Sequence, residues 1–355
     1  MPHDKIRAAN KVVNMTVNEQ TIVRRALTSE LGRDVTISGL RVVFERLAAW
    51  GVNNPVPKVG TLHEALPIYS DRRDATVDVI VPTGTRPFPV LLYIHGGAWV
   101  AGSPATHRRL TYRFAEAGYL VVSVDYRLAP EHPFPAAYDD CVQALRWTAR
   151  EARRFGGDPS RLAIGGDSAG GNLAAAVAIA AHGISDLPPI AAALLIYGVF
   201  DFAKVGGALF APVMHDAYLG CKGNDDLLRD VRVSPLHGAA RLPPSCIVVG
   251  DSDPLLEDSR ALQRALAAAN VPHRLDVVPD MPHAFVQMEF LREARTSIDR
   301  MTAFLREWTK PSIRRQARFW LSRGITLHHS VFESLPFRRV ACVSSANANN
   351  SVSQG

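Results

Sequence analysis

An α/β fold, with a mostly parallel central sheet, helices on both faces and a helical cap, is what this sequence predicts, and three observations carry the prediction. Near-continuous apolar runs such as Val90-Leu-Leu-Tyr-Ile94 and Cys246-Ile-Val-Val249 alternate with helical patterns along most of the chain, as parallel strands buried on both faces do. One run, Leu162-Ala-Ile164, feeds a Gly-x-Ser-x-Gly turn, Gly166 to Gly170, that opens an alanine-rich helix. A chain of 355 residues with 47% apolar and 21% charged residues can bury a sizeable core and is globular in composition.

The elements follow in order. Between residues 16 and 50, Ile22, Val23, Ala26, Leu27 and Leu31 share one helical face and Val42, Val43 and Leu47 follow. Two amphipathic helices ahead of the sheet read as a lid or packing element, so residues 1–55 are expected to form an N-terminal cap segment. The Pro-rich connector Asn54-Pro-Val-Pro-Lys58 leads into a main domain over 56–310, whose first clear strand is Val77–Val81. Further strands are expected at Val90–Ile94, Leu120–Val124, Leu162–Ile164, Ala192–Ile196, Cys246–Val249 and Arg274–Val278. Helices are expected over about 105–117, 139–155, 169–182, 257–269 and 293–309. The stretch from Phe202 to His237 breaks the alternation with Gly206, Gly207, Pro212 and scattered Leu227, Leu228 and Val231, and reads as an insertion that completes the cap.

The formal net charge is +6, yet from Lys310 onward seven Lys/Arg face Glu333 alone, so the tail carries the excess and the body is formally neutral. The body has no basic stripe interleaved with aromatics, which excludes a nucleic-acid partner there. Residues 311–355 pass from an Arg-rich stretch around Trp320 into Ser/Asn-rich low complexity, the composition of a flexible tail. Ile313, Ala317, Trp320 and Leu321 on one helical face, with Arg314, Arg315, Arg318 and Arg323 nearby, admit a weak contact with an anionic membrane surface. A solvated extension is the favoured reading of so short and imperfect a pattern. Cys141, Cys221, Cys246 and Cys342 show neither CxxC pairing nor metal-ligand spacing, so no metal site is expected and a reduced, cytoplasmic chain is the simplest account. No run of about 18 apolar residues occurs, and Met1–Gln20 lacks the apolar core of a signal peptide. Nothing in the sequence speaks to oligomeric state.

Ser168 sits where strand, sharp turn and helix meet, the context of a nucleophile elbow. A serine hydroxyl is a poor nucleophile until a base takes its proton, so a histidine and an orienting carboxylate are required later in the chain. His283 lies in the turn Pro279-Asp-Met-Pro-His283-Ala-Phe285, at the end of the last strand. A lone loop histidine more often bonds to backbone, but this position favours the base. Asp253 also follows a strand; it could instead cap the helix starting near Leu255, and Asp251 competes with it. The order Ser, Asp, His is that of α/β-hydrolases. For the oxyanion, Tyr93-Ile-His95-Gly96-Gly97-Ala98-Trp99 leaves a strand into glycines, so the amides of Gly96 and Gly97 are expected donors, joined by Ala169 after the nucleophile. A histidine base must be neutral to accept the serine proton, so activity is expected to rise with pH.

These motifs together resemble the hormone-sensitive-lipase-like family of α/β-hydrolases, the bacterial family IV esterases of GDSAG type. The matching text is His95-Gly-Gly-Ala-Trp99, Asp125-Tyr-Arg-Leu-Ala-Pro-Glu-His-Pro-Phe-Pro-Ala-Ala-Tyr-Asp-Asp140, Gly166-Asp-Ser-Ala-Gly-Gly-Asn-Leu173, Ser234-Pro-Leu236, Asp253-Pro-Leu255 and His283-Ala-Phe285. The resemblance implies a triad of Ser168, Asp253 and His283, preferring Asp253 to Asp251 because the family's carboxylate precedes Pro-Leu. It implies that the Asp125–Asp140 loop is scaffolding, and that 56–310 is a catalytic domain hydrolysing small-molecule carboxylic esters with no cofactor. Ala98 departs from the family's third glycine, and its methyl group would crowd the loop if that position needs a positive φ. Amide hydrolysis on the same triad is an alternative reading. A non-catalytic receptor on the same scaffold is another, disfavoured by the presence of His283.

Overall fold

The computed structural model describes residues 30–48, 55–185, 187, 189–207, 211–220 and 225–311. Its strands are β1 (Thr61–Pro67), β2 (Thr76–Val81), β3 (Phe88–Ile94), β4 (Leu120–Asp125), β5 (Gly157–Asp167), β6 (Ala193–Ile196), β7 (Ser245–Gly250) and β8 (His273–Val278). They form one sheet in the order β1-β2-β4-β3-β5-β6-β7-β8. From β4 to β8 every pairing is parallel, while β2 runs antiparallel to both its neighbours, β1 and β4.

Alternation along the strands splits the core in two. On β3, Val90, Leu92 and Ile94 join one buried cluster and Leu91 and Tyr93 the other, because successive side chains leave a strand on opposite faces. The first cluster is covered by α3 (Ala136–Glu151), α4 (Ala169–Ala181) and α7 (Leu256–Ala268), through residues such as Leu145, Val177 and Leu262. The second is covered by α2 (Arg108–Glu116) and α8 (Arg292–Trp308), through Leu110, Phe114, Met301 and Leu305. Full burial of each such side chain stabilises by about 1.5–3 kcal/mol, so both faces are well anchored. Helix α4 is buried along most of its length, and its alanines let it lie close between the sheet and α3.

Two expectations need correction. The first strand is β1, not β2; its residues are half-exposed, Ala65 has φ 51°, and the register slips between His63 and Leu66. An edge strand of this kind carries no continuous apolar run to announce it. The second concerns α1 (Glu30–Leu47), which packs through Ile37, Leu40 and Phe44, whereas Val42 and Val43 are 48% and 50% exposed. A helix advances about 100° per residue, which carries Val42 and Val43 away from the face that Ile37, Leu40 and Phe44 define. The earlier stretch, Ile22 to Leu27, lies outside the described residues, as do 312–355.

The 202–237 stretch contains a 3₁₀ turn (Phe202–Gly207), α5 (Ala211–Leu219), α6 (Asp225–Arg229) and the start of a second 3₁₀ turn (Pro235–Arg241). Ala217 of α5 joins Ile37 of α1 in a small apolar cluster with Val100, Ala101 and Ala129. The N-terminal helix and the 202–237 stretch therefore meet at the loop that follows β3.

Candidate active site

β5 ends at Asp167 and α4 begins at Ala169, leaving Ser168 alone at the apex with φ 55° and ψ −119°. A non-glycine residue in this region costs about 1–3 kcal/mol and persists only where its surroundings enforce it. Here the Ser168 N–H donates to Ile196 O at 2.9 Å and Asn172 N–H donates to Ser168 O at 3.1 Å. Glycine at position 170 is a steric requirement, since a Cβ there would lie 2.1 Å from Ile94 O.

The turn after β8 brings His283 to the serine, with Nε2 2.9 Å from Ser168 Oγ and Nδ1 2.9 Å from Asp253 Oδ2. A carboxylate only accepts, so Nδ1 carries the proton and Nε2 is left to accept from the serine hydroxyl. The Asp253 side chain is 0% exposed and that of His283 34%. Asp253 Oδ1 also accepts the Leu255 N–H at 2.8 Å, a turn bond ahead of the helix rather than a cap, since the N-cap of that helix is Leu255. Asp251 is exposed and, among the described residues, its carboxylate takes only the Ser252 hydroxyl, at 3.2 Å. The imidazole of Tyr197's neighbour His283 lies 4.9 Å from the Tyr197 ring, which is fully buried.

The loop after β3, expected to supply oxyanion donors, differs from expectation at one position. Gly96 N–H already donates to Asp167 Oδ1 at 3.1 Å, so Gly96 has no donor to offer a substrate. Among the described residues no acceptor takes the N–H of Gly97 or Ala98. Ala169, the first residue of α4, has no intrahelical acceptor for its N–H either. Among the described residues, the amides left free beside the elbow include those of Gly97, Ala98 and Ala169. Ala98 and Trp99 have φ 53° and 61°, so the positive φ that would favour the family's glycine is present and alanine adopts it.

The loop is braced from several sides. Trp99 stacks on Tyr218 of α5 at 4.4 Å and lies 5.2 Å from Phe202, while its carbonyl accepts Ala129 N–H at 2.9 Å. The Tyr126 hydroxyl donates to His95 O at 3.0 Å and its ring stacks on His95 at 4.3 Å. Burial, with His107 nearby, pushes His95 down to about 3. The segment supplying these braces is tied in place by Asp140, which accepts from Arg127, Arg72 and the Tyr69 hydroxyl. That is scaffolding, with no group of the Asp125–Asp140 stretch bonded to Ser168 or His283.

Sequence reasoning missed the residues behind the nucleophile. Asp167 is the variable letter of its motif, yet its carboxylate is buried and bonded to Tyr93, Gly96, His107 and Gln287. Burial alone would raise this acid, but the field of His107 and the bonds from His107 and Tyr93 outweigh it and hold the carboxyl at about 2. Among the described residues no cluster of His, Cys, Asp and Glu could hold a metal ion. No described helix is long and apolar enough to cross a membrane.

A serine at a strand–helix elbow, with its histidine delivered from the end of the last parallel strand, defines an α/β-type serine hydrolase architecture. Residues 91–287 match the family described as the alpha/beta hydrolase fold, and the chain belongs to that family, in its hormone-sensitive-lipase-like branch of serine ester hydrolases. Carboxylesterase NlhH of Mycobacterium tuberculosis is 38% identical over 235 residues, covering 61% of this chain and 73% of that protein. The ethyl acetate hydrolase of Pseudomonas putida is 35% identical over 210 residues, covering 56% of this chain and 66% of that protein. Among solved structures, the carboxylesterase EstE1 from a metagenomic library superposes with a TM-score of 0.71 at 29% identity, over 78% of this chain and 98% of that one.

Proposed function

We propose that this chain hydrolyses carboxylic esters of small to medium acyl length through an acyl-enzyme on Ser168. The serine Oγ attacks the ester carbonyl while its proton passes to His283 Nε2, and Asp253 stabilises the imidazolium that results. The N–H groups of Gly97, Ala98 and Ala169 receive the oxyanion, each donor typically worth about 10²–10³ in rate. His283 returns the proton to the departing alkoxide, leaving an acyl ester on Ser168. Water then gives a proton to His283 and attacks that ester, and the proton returns to Ser168 as the acid leaves.

The observation that carries this reading is the unbroken chain of two 2.9 Å hydrogen bonds from Asp253 through His283 to Ser168. It supports an enzyme over a non-catalytic receptor, which has no use for a polarised serine. The short-ester name of the Pseudomonas relative supports the acyl range. In the same reading 56–310 is the catalytic domain, 1–55 and 202–237 overlie its site, and the 311–355 tail is dispensable for chemistry. The buried, unpaired Cys141 and Cys246 suit a reducing, cytoplasmic setting.

A panel of p-nitrophenyl esters from acetate to palmitate tests the proposal, alongside the matched anilide and a truncation after Lys310. Highest kcat/KM at short to medium acyl length, slow anilide cleavage and full activity of the truncation are expected. Absence of Ser168-dependent release from every ester overturns the reading.

A further inference from the structure

We propose that Asp167 is a positioning residue: by accepting the Gly96 N–H it holds the oxyanion loop in register with Ser168 and leaves the Gly97 and Ala98 amides for the substrate. The inference rests on the ester-hydrolase reading above.

The juxtaposition starts in the sheet. β3 and β5 pair in parallel with Ile94 opposite Gly166, so the loop after β3 and the elbow after β5 leave the sheet side by side. They are in close contact there, since a Cβ on Gly96 would lie 2.7 Å from both Asp167 O and Oδ2. Only a glycine lets the loop come near enough for its N–H to reach the carboxylate.

The carboxylate is itself held on both oxygens. Oδ1 accepts the Tyr93 hydroxyl at 2.8 Å and Gly96 N–H at 3.1 Å. Oδ2 accepts Gln287 Nε2 at 3.0 Å and lies 3.3 Å from His107 Nε2, which is itself 2.7 Å from Gln287 Nε2. Tyr93 comes from β3, His107 from the entry to α2, and Gln287 from the 3₁₀ turn (Phe285–Gln287) just after His283. One side chain, 3% exposed, thus joins the nucleophile's neighbour, the oxyanion loop and the segment bearing the base. A buried charge with several polar partners resists displacement, because any shift leaves it unpaired in a low-dielectric interior. Oxyanion donors need such constraint, since a misplacement of about 1 Å can cost about 100-fold in rate.

The test uses the full-length enzyme with Asp167→Asn, Asp167→Ala and Gln287→Met. Functional sites are counted by fluorophosphonate titration of Ser168. Then kcat and KM are measured on p-nitrophenyl butyrate, and Ki on a trifluoromethyl ketone, whose adduct with Ser168 mimics the tetrahedral intermediate. Per titrated site, kcat should fall about 100-fold in Asp167→Ala and about 10-fold in Asp167→Asn, with KM nearly unchanged. The ketone Ki should rise by the factor that kcat/KM falls, which a merely structural role would not produce. If Asp167→Ala does not fold, Asp167→Asn and Gln287→Met carry the same correlation, the latter with an effect of about threefold to tenfold. Wild-type kcat per titrated site in the folded variants, or a fall in kcat with ketone affinity unchanged, overturns the inference alone. A wild-type enzyme without fluorophosphonate-sensitive esterase activity overturns the ester reading and this inference with it.

Discussion

Behind Ser168, the Asp167 carboxylate is buried and bonded on both oxygens by groups that are themselves buried or half-buried. On the opposite side, Arg41 of α1 holds the loop after β3 differently. Its Nε donates to Val100 O at 2.8 Å and its Nη2 to Ala129 O at 3.1 Å, while the guanidinium grips Glu131, 55% exposed, at 2.7 Å. The first arrangement is desolvated and over-determined; the second competes with water and salt, and exposed pairs of this kind contribute about 0–1 kcal/mol. The apolar contact that α1 itself makes is small, Ile37 with Val100, Ala101, Ala129 and Ala217 and a few half-buried neighbours, and is separate from the stack of Trp99 on Tyr218 of α5. The difference teaches that one loop is held by two supports of unequal strength, so mutations should separate them.

The largest effect belongs to the rigid side. Ser168→Ala should lower kcat by on the order of a millionfold with thermal stability little changed, and His283→Ala should do the same. Residual activity above about a hundredth, in protein free of wild-type contamination, would place the nucleophile elsewhere. Asp253→Asn should cost about 10⁴ in kcat, as expected for a carboxylate that orients the base. Asp251→Asn, at an exposed group away from His283, should stay within about threefold on the same assay. A reversal of that order would transfer the role to Asp251.

On the opposite side the effects shrink. Arg41→Ala should change kcat on p-nitrophenyl acetate by less than about threefold and lower unfolding stability by less than about 1 kcal/mol in urea titration. A tenfold loss of kcat would mean that α1 governs loop geometry, and the contrast between the two regions would fail. The smallest expected signal is in pH. The hydrogen bond from Arg41 outweighs slight burial and holds Glu131 at about 2, below its ordinary 4.5. A depressed carboxyl stabilises the fold above its ordinary value and loses that contribution as pH falls toward the depressed one. The stability difference between wild type and Arg41→Ala should therefore be present above about pH 4.5 and vanish toward about pH 2, and added salt should shrink it. A difference that persists at pH 2 would assign Arg41's contribution to its backbone carbonyl bonds instead.

Much of this was written locally. The apolar runs of β3, β5, β6 and β7 and the alanine-rich α4 declare the layered fold, because strand and helix periods are properties of a few consecutive residues. The elbow is legible for the same reason, as five residues from Gly166 to Gly170 dictate the turn that raises Ser168. The positions of His283 and Asp253 at strand ends, in the order that follows Ser168, make them candidates without any coordinate. β1 was hidden because an edge strand need not be apolar, and the packed face of α1 because Val42 and Val43 compete with Ile37, Leu40 and Phe44 for a face that only a partner surface can choose. Tertiary structure alone decided that Asp253 is buried against His283 while Asp251 faces solvent, and that Gly96, of the three loop residues, has its amide already taken. The acceptor of that amide stands 71 residues away. A hydrogen bond is allocated by proximity in the folded chain, and no local pattern encodes which distant carboxylate will claim which N–H.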